Sequence, residues 1–182
     1  MLNLGCCYSE GEVVVMNDEE TFNWLKRAAD LNNSEALAVI GLCYCEQDNP
    51  EEAIKFVRRA VELGNPLGMS AMAYIYGLKS DMEKAMKYFS MAVDGGCSLG
   101  MWGLGCGYIE ESCSELEQNP IKGFELLQKS AELNNTDAID ALIKYYESIT
   151  FKDLKKKSYW EQKKKELGDC RPTDRLKRRG LI

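Results

Sequence analysis

The sequence predicts an all-α protein built as a stack of short helical hairpins, and three observations predict it. A pattern of small, aliphatic and tyrosine residues recurs in register along the chain. A second helical pattern precedes each copy of the first, and the links between them are short and rich in Gly and Asn. Self-similarity at a fixed period is the signature of repeat architectures and decides fold class before any local reading.

The first pattern occupies SEALAVIGLCY (34–44), PLGMSAMAYIY (66–76), SLGMWGLGCGY (98–108) and TDAIDALIKYY (136–146), which superimpose without gaps. A small residue (Ala36, Gly68, Gly100, Ala138) is followed one helical turn later by an aliphatic one (Ile40, Met72, Leu104, Leu142). Next stands a small residue (Gly41, Ala73, Gly105), replaced by Ile143 in the last copy, and then a tyrosine (Tyr44, Tyr76, Tyr108, Tyr146). These offsets put the side chains on one helical face. The second pattern runs through Thr21, Trp24 and Ala28, then Ala53, Phe56 and Ala60, then Ala85, Tyr88 and Ala92, then Gly123, Leu126 and Ser130. The links LNNSE, LGNPL, DGGCS and LNNTD hold residues suited to ending a helix, and Ser34 and Thr136 are expected to cap the next one. Small residues let backbones approach while the tyrosines fill the space between hairpins. A hairpin of this kind cannot bury its face alone and must stack.

The segments IGLCY, LGCGY, FNWLKRAADLN, EAIKFVRRAVELG and KAMKYFSMAVDGG resemble the Sel-one-like repeat family, relatives of tetratricopeptide repeats. LNLGCCYSEGEVV, with Leu4, Gly5, Tyr8, Gly11 and Val13, is similar to half of another such unit. The resemblance covers roughly residues 1–148. It implies a right-handed α-α superhelix, a solenoid of about four to five hairpins, with first helices lining a concave face used for adaptor and assembly roles. Hairpins are expected near 1–31, 34–64, 66–96 and 98–134, with the start of a last one at 136–148. Beyond them a basic capping helix is expected at 151–168, with Phe151, Leu154, Tyr159 and Trp160 covering the last hairpin, and a basic tail at 169–182. In that helix Lys155 and Gln162 are read as standing where Ala53 and Ala60 stand earlier.

Composition narrows the function classes. At 45% hydrophobic and 29% charged, the 182-residue chain is apolar enough to fold. No run of 18 apolar residues appears, and MLNLGCCYSEGEVVV has neither a basic start nor a cleavage site, so no membrane span is expected and the setting is read as intracellular, cytoplasmic. Residues 151–182 hold 12 of the 23 Lys and Arg but 5 of the 29 Asp and Glu, which leaves −13 (11 minus 24) on the body and +7 (12 minus 5) on the tail. An acidic body argues against a nucleic-acid surface there, while the tail suits phosphate, an acidic partner or the body itself.

The chain has no histidine, which removes the usual general base and the commonest metal ligand. No phosphate loop occurs, and the glycines of GMWGLGCG (100–107) fall on repeat positions that serve helix packing. Eight cysteines (Cys6, Cys7, Cys43, Cys45, Cys97, Cys106, Cys113, Cys170) are irregularly spaced, and those on helices diverge around the axis rather than converge on an ion. They read as buried thiols, with a metal or redox protein as an alternative. Paired carboxylates such as Glu51-Glu52 suit helix starts. No catalytic residue, metal site or cofactor is expected.

If the tetratricopeptide-like geometry implied by the resemblance holds, a concave face would carry Leu42 and Glu46, then Tyr74 and Leu78, then Trp102, Cys106, Ile109 and Glu110. The same projection includes Cys45, Leu67, Ser70, Leu99, Asp137, Asp140, Lys144 and Glu147. Tyr74 and Trp102 are expected to share one groove. An apolar patch flanked by acids would suit a protein or peptide partner with aliphatic anchors and basic flanks. The function expected is a non-catalytic interaction scaffold or adaptor, with a regulatory or pathogen or virus effector module on a larger complex as the alternative.

Overall fold

A computed structural model describes residues 18–109, 118–147 and 153–167, and the regular structure among them is α-helical. The helices are α1 (Asp18–Asp30), α2 (Ser34–Glu46), α3 (Pro50–Glu62), α4 (Pro66–Leu78), α5 (Met82–Asp94), α6 (Ser98–Ile109), α7 (Pro120–Glu132), α8 (Thr136–Glu147) and α9 (Leu154–Leu167). The expectations for Leu4 to Val13, Cys6, Cys7, Cys113, Phe151, Cys170 and the tail lie outside the described residues. The helices run 12 to 14 residues, a length at which an isolated helix is marginal in water, so packing must hold them.

The turns share one construction. Asn33 N–H donates to the Ala28 carbonyl at 3.0 Å and Asn32 N–H to the Ala29 carbonyl at 2.9 Å, with Asn32 left-handed at φ 58°. The same pair of bonds closes the turns at Asp48-Asn49, Gly64-Asn65, Ser80-Asp81, Gly96-Cys97 and Asn134-Asn135. Orphan carbonyls at each helix end are satisfied this way. A Cβ at Gly64 or Gly96 would meet nothing within 4 Å, so these glycines serve backbone conformation, at φ 73° and 76°, and not space. At four of these turns the following asparagine caps the next helix, as Asn119 caps α7. The side-chain oxygens of Asn33, Asn49, Asn65, Asn119 and Asn135 accept from the backbone N–H of Ala36, Glu52, Gly68, Lys122 and Ala138. The caps expected at Ser34 and Thr136 are therefore corrected by one residue, because the carboxamide just before each hydroxyl takes the bond.

The described chain forms two compact units, 18–81 and 82–167. In the first, Leu25, Ala28, Ala29, Ala36, Leu37, Ala38, Ile40 and Ala60 make the core, with Phe22, Val39, Tyr44, Phe56 and Leu67 packed against it. Small residues set the distance between helices. A Cβ on Gly41 would lie 2.3 Å from a Val57 methyl, and one on Gly68 would lie 2.6 Å from Ala60 Cβ. Arg59 Nη2 donates to the Ala29 carbonyl (3.1 Å) and Asn32 Oδ1 (2.7 Å), placing a cation at the C-terminus of α1, where the helix dipole favours it.

The second unit repeats the logic with different sizes. Phe89 fills the space over Gly103, and the backbones of α6 and α7 meet where a Cβ on Gly123 would lie 2.7 Å from the Gly105 carbonyl oxygen. Buried Ser130 donates to the Ser98 carbonyl at 2.7 Å. Leu127, Ala131, Ala138, Ile139, Leu142, Tyr146 and Trp160 form the core. Tyr146 alone of the four repeat tyrosines is fully buried; Tyr44, Tyr76 and Tyr108 are half-buried, since a phenol keeps its hydroxyl at the edge of an apolar layer. Trp160 covers α8 as expected, while Leu154 and Tyr159 are exposed.

The register expected for α9 is off by two residues. Lys163 Nζ donates to the Ala131 carbonyl at 3.0 Å, which is what Arg59 does to Ala29, so Lys157 and Lys164, not Lys155 and Gln162, stand at the places of Ala53 and Ala60.

Candidate partner-binding face

The helix α4 shows how the repeat exposes apolar surface. Gly68, Ser70, Ala71, Met72, Ala73 and Ile75 are buried and fix it in the first unit. Tyr74 and Leu78, one turn apart, remain 40% and 49% exposed. Leu42 occupies the equivalent of the Tyr74 position on α2 and is half-buried. The open strip begins at Tyr74. Ser70, one turn before it on the same face, is fully buried, its hydroxyl donating to the Pro66 carbonyl at 3.2 Å, and Cys45 is buried too. Ser70 and Cys45 therefore leave the projected concave set, because small side chains at those places are closed over by packing.

In the second unit Trp102, Cys106 and Ile109 lie together on α6, half-buried and packed against the core of α7, α8 and α9. The acids projected for α8 are engaged: Asp140 pairs with Lys164, and Glu147 with Lys157, whose ammonium that carboxylate holds above the ordinary lysine range. The Glu46 side chain and Glu110 lie outside the described residues. Tyr74 and Trp102 belong to different units, and each takes its place within its own.

Other exposed apolar residues were not anticipated. Leu31, Leu63 and Leu133 close α1, α3 and α7 and stand open to solvent; their signal was the leucine that opens the links LNNSE, LGNPL and LNNTD. Cys43 and Cys45 are buried, as expected of thiols used for packing. Among the described residues no three His, Cys, Asp or Glu side chains are grouped to hold a metal ion, and no helix is long and apolar enough to cross a membrane. The strip on α4 offers apolar contact and a phenol hydroxyl.

Helical hairpins repeated in register, each closed by the same turn and spaced by small residues, define a helical-repeat protein. The chain belongs to the Sel1 repeat family: the family pattern, Sel1 repeat, matches residues 1–33, 34–65, 66–97 and 98–135. Two solved structures share the fold. A Sel1 repeat protein from Oxalobacter formigenes is 24% identical, with a TM-score of 0.60 over 88% of this chain and 69% of that one. The protective antigen c5321, present in uropathogenic Escherichia coli strains and displaying an SLR fold, is also 24% identical, with a TM-score of 0.56 over 80% of this chain and 32% of that one. No curated protein matches the sequence.

Proposed function

We propose that the chain is a non-catalytic scaffold that binds a peptide or helix of a partner protein on the outward face of its first helices. The observation that carries this reading is the exposure of Tyr74 and Leu78 on a helix otherwise buried. An aromatic and a leucine one turn apart form an anchor pair for an apolar side chain, and tyrosine supplies large contact area at low entropic cost. Half-buried Leu42 extends the strip on α2, and in the second unit Trp102, Cys106 and Ile109 on α6 are half-buried as well. The charge of −13 on residues 1–150 favours a partner with basic flanks around aliphatic anchors. Burial of Cys43 and Cys45 as small apolar side chains supports a setting inside the cell.

Selection of peptides from a displayed library on the full chain tests the reading. Peptides so selected are expected to lose about tenfold or more in affinity to Tyr74→Ala and Leu78→Ala. They should bind Ile121→Ala unchanged, since Ile121 is exposed on α7, which is a second helix. Equal binding to all three variants would overturn the assignment of the face.

A further inference from the structure

We infer that residues 136–167 complete a fifth hairpin of the same plan, in which α9 is the second helix and is keyed to α8 by ion pairs at positions that the hairpin of α2 and α3 fills with small apolar residues. The matched repeats end at residue 135, so this unit lies beyond them.

Three observations fix the register. Lys163 reaches the C-terminal carbonyl of α7 as Arg59 reaches that of α1, at 3.0 and 3.1 Å. The same alignment sets Trp160 on Phe56, and Trp160 is buried in the core of this unit. It also sets Glu166-Leu167 on Glu62-Leu63, and Leu167 packs against that core.

In this register Lys157 and Lys164 replace Ala53 and Ala60, both fully buried in α3. Their partners Glu147 and Asp140 replace Cys45 and Ala38, both buried in α2. The exchange is therefore concerted: two apolar places on each helix become two opposite charges that meet. The substitution also closes one edge of the unit. Ala60 is where the next first helix comes in, with Gly68 so near that an added Cβ would lie 2.6 Å away. A lysine at that place leaves no room for another hairpin to dock in the same manner.

An interface keyed by partly exposed ion pairs weakens as salt screens them, whereas apolar contacts do not. Hydrogen exchange read by mass spectrometry on the full chain decides the matter, comparing about 0.01 M with about 1 M salt, where the screening length falls from about 30 to about 3 Å. Amides of residues 154–167 are expected to be protected at low salt and to exchange about three- to tenfold faster at high salt. Those of residues 50–62 serve as the internal control and should change little. The variant with Asp140→Ala, Lys164→Ala, Glu147→Ala and Lys157→Ala should lose the salt response. Two results in the unmodified chain overturn the inference without recourse to the variant. Unprotected exchange of 154–167 at low salt would remove the hairpin, and protection indifferent to salt would remove the ionic key.

Discussion

Replacing Gly123 by Ala drives a methyl group into the closest approach of two helices. The new Cβ would stand 2.7 Å from the Gly105 carbonyl oxygen, 2.7 Å from Ile109 Cγ1 and 3.0 Å from Tyr108 Cβ. Ordinary contact begins near 3.4 Å, and the nearest obstacle is backbone within α6, which cannot rotate away. The helices must separate by up to about 0.7 Å, the difference between those distances, which loosens the packing of Leu127 over Gly105. Overpacking of this kind costs about 1–3 kcal/mol, and alanine's better helical propensity returns about 0.5–1. The net loss is up to about 2.5 kcal/mol, a fall in Tm of up to roughly 10 °C for a chain of this size. Gly77 supplies the control. A Cβ there meets nothing within 4 Å, so Gly77→Ala should stabilise by up to about 1 kcal/mol. Thermal unfolding followed by circular dichroism measures both. A rise in Tm for Gly123→Ala, or equal shifts for the two variants, would refute the close-approach account.

Two further outcomes are expected. Asn135→Ala should cost about 1 kcal/mol by removing the oxygen that accepts from Ala138 N–H, which the urea midpoint checks. Burial pushes the Tyr146 phenol above its ordinary value near 10, against a hydrogen bond from Gln128 that lowers it. The unfolded chain then loses this proton first. The stabilisation from Tyr146 is complete below the unfolded value and is lost as pH rises through the folded one. Phenolate absorbance should show a step above the ordinary tyrosine value that is missing in Tyr146→Phe.

How far the sequence reaches differs from place to place. The small positions Ala36, Gly41, Gly68, Ala60 and Ala92 were legible because close helix approach allows few residue types, and period makes them stand out. The caps were not, since Asn33-Ser34 and Asn135-Thr136 each offer two competent residues in a row, and only backbone geometry chooses. The proposed binding strip was half legible. Tyr74 and Leu78 follow from helical phase, but the burial of Ser70 and Cys45 on the same phase depends on how neighbouring helices close over small side chains. In α9 the run Lys155-Lys156-Lys157 hides the register, because three identical residues fit any small position equally badly. The useful signal was Glu166-Leu167, which repeats the Glu62-Leu63 ending.

The shared turn has a consequence for how such a chain changes over time. Five interhelix corners within the two units are made from main-chain bonds and one left-handed residue, and that residue is Asn, Asp or Gly without altering the bonds. Direction at each corner is thus inherited through the backbone, and the outward side chains carry little of the burden of shape. A lineage built on these corners is free to redraw the surface it shows to other molecules, one hairpin at a time, while drift at a cap asparagine or beneath Phe89 is punished at once.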